Sequence, residues 1–210
     1  MGEPPVSDER PSSERPLTFR RLSGMDRSGS APPETLPGAP LRPWTIPNAI
    51  GYVRIACLVA FLIVGLSDDD GEGWLEFTLF AIVAWGDYAD GIAARVTKQY
   101  SRLGALMDPV VDRALVISGV VVTYYHDLLP RWALLVLVAR EAFMLVAGPF
   151  YVRRRGELKI TMLGRLAVWP TMSAIAFALI GVEPLDEILL YIGLAMTLGA
   201  TVQYIRQAST

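Results

Sequence analysis

GDYADGIAARVTKQYSRLGALMDPVVDR, residues Gly86 to Arg113, holds four aspartates at positions 87, 90, 108 and 112, with sequence on both sides apolar enough to sit in a membrane. A carboxylate at the edge of hydrocarbon is costly unless it is paired, hydrated or bound to a cation. Four in one short reach call for a common purpose. Asp87 and Asp90 lie three apart and Gly91 and Arg95 four apart, so one helical face presents two carboxylates, a glycine and an arginine in succession. On the next predicted helix Gly104, Asp108 and Asp112 recur every four residues. A short turn between the two helices would pack them antiparallel and bring the aspartate faces together. Oxygen-only ligands suit Mg²⁺ or Mn²⁺ held between the carboxylates. With one His and one Cys in the chain, nothing suggests zinc.

Working outward, the 210-residue chain is 52% hydrophobic and only 19% charged, and its charges fall between apolar runs. Those runs are Ile50 to Leu66, Trp74 to Gly86, Leu103 to Tyr125, Trp132 to Val152, Ile160 to Val182 and Leu185 to Ile205. Most approach the roughly 20 residues that a spanning helix needs. The second is short, but it can continue as helix through the aspartates to about Val96. The fold expected is therefore an all-α integral membrane protein with six transmembrane helices. Residues 1–42, rich in Pro, Ser, Arg and Glu, are expected to be a disordered tail, and residues 43–210 the membrane domain. No apolar core follows a basic start, so the tail does not read as a signal peptide. Cys57 has no second cysteine to pair with. The segment from Trp44 to Arg54, with Pro47 and Asn48 as start signals, can form an N-terminal interfacial helix or simply the beginning of the first span.

Basic residues set the orientation. Arg95, Lys98 and Arg102 flank one turn, and Arg153, Arg154, Arg155 and Lys159 another, whereas the turns at 67–73, 126–130 and 182–187 are acidic. Both termini and the aspartate-rich turn are expected on the cytoplasmic side of a cell inner or plasma membrane. Gly91 and Gly104 remove side chains where something bulky approaches the backbone, and Arg95 offers a fork suited to phosphate. Metal, clearance and arginine together describe a diphosphate site. A membrane prenyltransferase would carry a second aspartate repeat, which is absent here. A cation transporter would place its carboxylates near the bilayer midplane rather than beside a basic turn.

Asp87, Asp90, Gly91, Ala94, Arg95, Gly104, Asp108 and Asp112 keep every spacing of D-x2-D-G-x2-A-R-x8-G-x3-D-x3-D. This pattern resembles the signature of the CDP-alcohol phosphatidyltransferases, and Ile46 to Asn48 and Arg54 are similar to that family as well. Residues 1–42 have no counterpart in it. The resemblance implies six transmembrane helices, a homodimer, two divalent cations, and attack of an acceptor hydroxyl on the β-phosphorus of CDP-diacylglycerol with release of CMP. It makes Asp87, Asp90 and Asp108 metal ligands, with Asp112 the candidate general base or a further ligand. Asp90, Gly91, Ala94 and Arg95 would hold the cytidine nucleotide, with Gly104 giving room beside it. Pro109 is expected to bend its helix and aim Asp108. No nucleic-acid partner is expected.

The acceptor is less sharply written. Arg140 and Glu141 adjoin each other inside an apolar run, which marks them as more than anchors. REAFMLVAGPFYVRRRG (Arg140 to Gly156) followed by K-x-T-x-x-G-R resembles the cardiolipin synthases of this family, and the phosphatidylglycerophosphate synthases have a related pattern there. Arg165 stands where a lysine is usual, and Val168 and Thr171 replace polar residues. Arg140, Arg153, Lys159 and Arg165 are the candidate acceptor-binding residues, the acceptor being phosphatidylglycerol or glycerol 3-phosphate, with phosphatidylglycerol favoured.

Overall fold

The computed structural model describes residues 32–36, 38–155, 164 and 166–209. Among them the chain forms six α-helices and no strand: α1 (Ile46–Ser67), α2 (Trp74–Thr97), α3 (Arg102–Tyr125), α4 (Arg131–Arg155), α5 (Val168–Ala178) and α6 (Leu185–Ser209), preceded by a 3-10 turn at Pro33–Thr35. Each helix falls on one of the six apolar runs, and α2 continues through both of its aspartates, as its composition suggested. Most of the expected tail, residues 1–31 and 37, lies outside the described residues.

Local chemistry explains the boundaries. Thr45 caps α1: its hydroxyl oxygen accepts from the Asn48 amide at 3.3 Å, while its carbonyl accepts from the Ala49 amide at 3.0 Å. Pro47 sits in the first turn, where its missing N–H costs nothing. No breaker follows before Ser67, so the stretch from Ile46 to Arg54 is the first part of a single 22-residue helix and not a separate interfacial one. Lys98, at φ 53°, turns the chain out of α2 in the left-handed region. Pro109 lies inside α3, which runs on through it and leaves the Ala105 carbonyl without its usual amide partner.

Two compact units divide the chain, Met1–Leu58 with Ile82–Ala114, and Val59–Ala81 with Leu115–Thr210. In the second, Phe61 and Phe80 pack with ring centroids 5.5 Å apart, and Gly65 receives the Val122 side chain. There α6 packs on α4 and α5. A Cβ at Gly193 would stand 2.9 Å from the Thr171 backbone nitrogen, so the α5 and α6 backbones meet at a point only glycine allows. Trp132 stacks on Tyr191 at 5.8 Å.

Among the described residues two helical stretches, Ile46–Ser67 and Leu185–Arg206, are long and apolar enough to cross a membrane by composition alone. On α2 and α3 charged side chains interrupt the apolar stretch: Glu76, Asp87, Asp90 and Arg95 on α2, and Arg102, Asp108, Asp112 and Arg113 on α3. On α5 only eleven residues are described.

Candidate active site

The first unit gathers the aspartate motif around a residue from outside it. Arg54 projects from α1 and is 1% exposed. Its Nε donates to the Val83 carbonyl at 3.1 Å, Nη1 to Asp90 Oδ2 at 2.9 Å, and Nη2 to Asp112 Oδ1 at 2.6 Å. Nη1 also lies 3.6 Å from Asp87 Oδ1 and 3.9 Å from Asp108 Oδ1. The expected meeting of the two aspartate faces is therefore present, but the charge at its focus is a guanidinium. Mutual repulsion of the carboxylates does not by itself demand an ion, because Arg54 already relieves part of it.

The four carboxylates differ in setting. Asp90 is buried, whereas the side chains of Asp87, Asp108 and Asp112 are 51%, 41% and 48% exposed. Among the described residues no three acidic, His or Cys side chains close tightly enough to form a ready-made ion cage. The donor set nonetheless fits a hard divalent cation. Three carboxylates, from Asp87, Asp90 and Asp108, converge on one cationic nitrogen, and all the donors are oxygens.

Beside this cluster lies a cleft of about 240 Å³, lined by Asp90, Gly91, Ala94 and Arg95 from α2 and by Gly104, Ala105 and Asp108 from α3. All the residues expected to hold the nucleotide thus share one wall system with two of the aspartates. A Cβ at Gly91 would meet only the Arg95 guanidinium, with Nη2 at 2.9 Å. Gly104 has a second role. A Cβ there would stand 2.8 Å from Asn48 Oδ1, which accepts from Ser101 Oγ at 2.8 Å; that same Oγ accepts from the Gly104 amide at 3.0 Å. Asn48 Nδ2 donates to the carbonyls of Arg42 and Pro43 at 2.9 and 3.2 Å. This fully satisfied buried amide ties the start of α1 to the turn that carries the motif from α2 to α3. Thr35, from the segment before α1, and Pro47, from the first turn of α1, also line the cleft.

The acceptor candidates are not assembled in the same way. Arg140 belongs to the second unit, where it pairs with Glu141 and donates from Nε to Thr201 Oγ1 at 3.2 Å. Arg153 lies on α4, and its side chain is not among those described; Lys159 and Arg165 lie outside the described residues. The part of the site that spacing alone missed is the grip of Arg54 on the aspartates, with Gly86 making room for its stem. One signal was available: an arginine inside an apolar run must find anionic partners.

The sequence model of the CDP-alcohol phosphatidyltransferase family matches residues 44–199, which contain every residue of this cluster. The chain belongs to that family. A CDP-alcohol phosphatidyltransferase is an enzyme of phospholipid biosynthesis, and relatives agree on the class. The cardiolipin synthase (CMP-forming) of Streptomyces coelicolor is 37% identical over 142 residues, covering 65% of this chain and 65% of its own. A Mycobacterium tuberculosis protein that carries the provisional name of cardiolipin synthase is 33% identical over 165 residues, or 77% of this chain and 78% of its own. The CDP-diacylglycerol–glycerol-3-phosphate 3-phosphatidyltransferase of Cereibacter sphaeroides is 32% identical over 143 residues, or 66% and 64%.

Proposed function

We propose that this phosphatidyltransferase moves the phosphatidyl group of CDP-diacylglycerol to phosphatidylglycerol, giving cardiolipin and CMP. The observation that carries the reading is the juxtaposition of the aspartate cluster with a cleft lined by Gly91, Ala94, Arg95 and Gly104. The acceptor hydroxyl oxygen bonds to the β-phosphorus, the bridging P–O bond breaks, and CMP leaves with that electron pair. Asp112 takes the hydroxyl proton. Its Oδ1 is held by Arg54 Nη2, which fixes the carboxylate without occupying both of its oxygens. Asp87, Asp90 and Asp108 would hold one or two Mg²⁺ or Mn²⁺ ions, which supply charge neutralisation on the diphosphate when bound. Arg95 and the clearance at Gly91 orient the nucleotide end.

Phosphatidylglycerol is preferred as acceptor because Arg140 to Gly156 resembles the cardiolipin synthases and two of the three relatives above carry that name. Glycerol 3-phosphate is the second reading, favoured by the name of the Cereibacter relative. Purified protein given CDP-diacylglycerol with each acceptor in parallel is expected to form cardiolipin with phosphatidylglycerol. Phosphatidylglycerophosphate formed alone would reverse the assignment.

The reading further includes residues 43–210 as a six-crossing membrane domain working as a homodimer, with residues 1–42 as a tail and both termini and the aspartates cytoplasmic. The charge asymmetry supports this topology: Asp68, Asp69, Asp70 and Glu72 crowd one turn, while Arg95, Lys98 and Arg102 flank another. In a Cys57→Ser background, Asp69→Cys is expected to react with an impermeant thiol reagent from outside. Gln99→Cys should react only after the membrane is opened. The reverse pattern would place the site on the other face.

A further inference from the structure

Arg54 is held in place from three sides. A Cβ at Gly86 would lie 2.6 Å from Arg54 Cγ and 2.7 Å from Cδ, atoms in mid-stem that cannot swing aside, so the glycine before the first aspartate is the channel through which the arginine passes. The Val83 carbonyl then receives Nε, and Asp90 and Asp112 receive the two terminal nitrogens. The planar guanidinium thereby joins a carboxylate of α2 to one of α3 in fixed geometry, which a lysine could not do. Its charge stands within 3.9 Å of all four carboxylates. A fixed positive charge so close must oppose any second cation on the same oxygens, and the opposition is stronger away from bulk water.

We propose that Arg54 is a positioning residue of the transfer site, which sets Asp90 and Asp112 and keeps the affinity of the substrate-free cluster for divalent cations low, so that the ion and the CDP-lipid bind together. The inference rests on the reading of the aspartates as cation ligands. The diphosphate brings negative charge and further oxygens, which offset the repulsion by Arg54. By linkage, the factor by which the lipid tightens the ion is the factor by which the ion tightens the lipid.

The test is Mn²⁺ binding to the purified protein, followed by the loss of the free-ion paramagnetic resonance signal, with and without CDP-diacylglycerol. Wild-type protein is expected to bind Mn²⁺ weakly alone and about tenfold or more tightly with the lipid. Arg54→Gln removes the charge, so it should bind Mn²⁺ about tenfold more tightly than wild type without lipid. Its turnover at saturating ion should nonetheless fall. A folded Arg54→Gln protein whose ion affinity is unchanged or weaker overturns the proposal, because a merely structural arginine predicts that result. Arg54→Lys keeps the charge and loses the fork: it should keep wild-type ion affinity with reduced turnover, and full turnover there would overturn the positioning role even if Arg54→Gln fails to fold. Wild-type transfer that survives EDTA without Mn²⁺ binding is a different outcome, and it would remove the cation reading itself.

Discussion

Asp87→Asn, Asp90→Asn and Asp108→Asn will each lower transfer by on the order of 10³-fold or more, equivalent to about 4 kcal/mol of transition-state stabilisation. Asparagine keeps the shape of the side chain and one oxygen but loses the charge that a hard cation and its diphosphate partner require. The structure separates the three. Asp87 and Asp108 are half exposed and stand 3.6 and 3.9 Å from Arg54, so their loss should leave folding nearly unchanged. Asp90 is only 7% exposed and takes a 2.9 Å hydrogen bond from Arg54. Asp90→Asn weakens the partner of a buried guanidinium, so it alone of the three should also lower the unfolding temperature. CMP release and thermal unfolding, measured side by side, decide the matter. Retained turnover in Asp87→Asn or Asp108→Asn would detach the carboxylates from the chemistry.

Asp112→Asn should behave differently. A lost general base slows transfer by roughly 10²- to 10⁴-fold while leaving binding of ion and CDP-lipid nearly intact, whereas a lost ligand weakens both. The geometry motivates the distinction. Asp112 lies one helical turn beyond Asp108 on α3 and is held by Arg54 Nη2, whereas the other three aspartates converge on Nη1. Titration of CDP-diacylglycerol binding against Mg²⁺ in both variants separates the two roles. If Asp112→Asn loses metal affinity as severely as Asp87→Asn, Asp112 is a ligand and the proton goes elsewhere.

The helices and the motif were legible in the sequence because both depend on short-range order. Acidic or basic turns bound each apolar run, and the three- and four-residue spacings of the aspartates lie within single helices. Which carboxylates Arg54 grips was not legible, because it meets Asp90 and Asp112 across separations of 36 and 58 residues. The spacing of one helix says nothing about which side chain of another enters its face. Gly86 is a similar case: beside Asp87 it reads as part of the motif, yet the side chain it admits comes from α1. The segment from Trp44 to Arg54 fitted an interfacial helix or a helix start equally well. The Thr45 cap, with no break before Ser67, resolves it as the start of α1.

The central claim is phosphatidyl transfer, and the fate of the β-phosphorus tests it most directly. CDP-diacylglycerol labelled at that phosphorus, incubated with the purified protein, phosphatidylglycerol and Mg²⁺ or Mn²⁺, is expected to deliver all of the label to cardiolipin while unlabelled CMP appears in equal amount. Label released in CDP or in another water-soluble phosphate, or no turnover with any glycerol-type acceptor, would contradict the account.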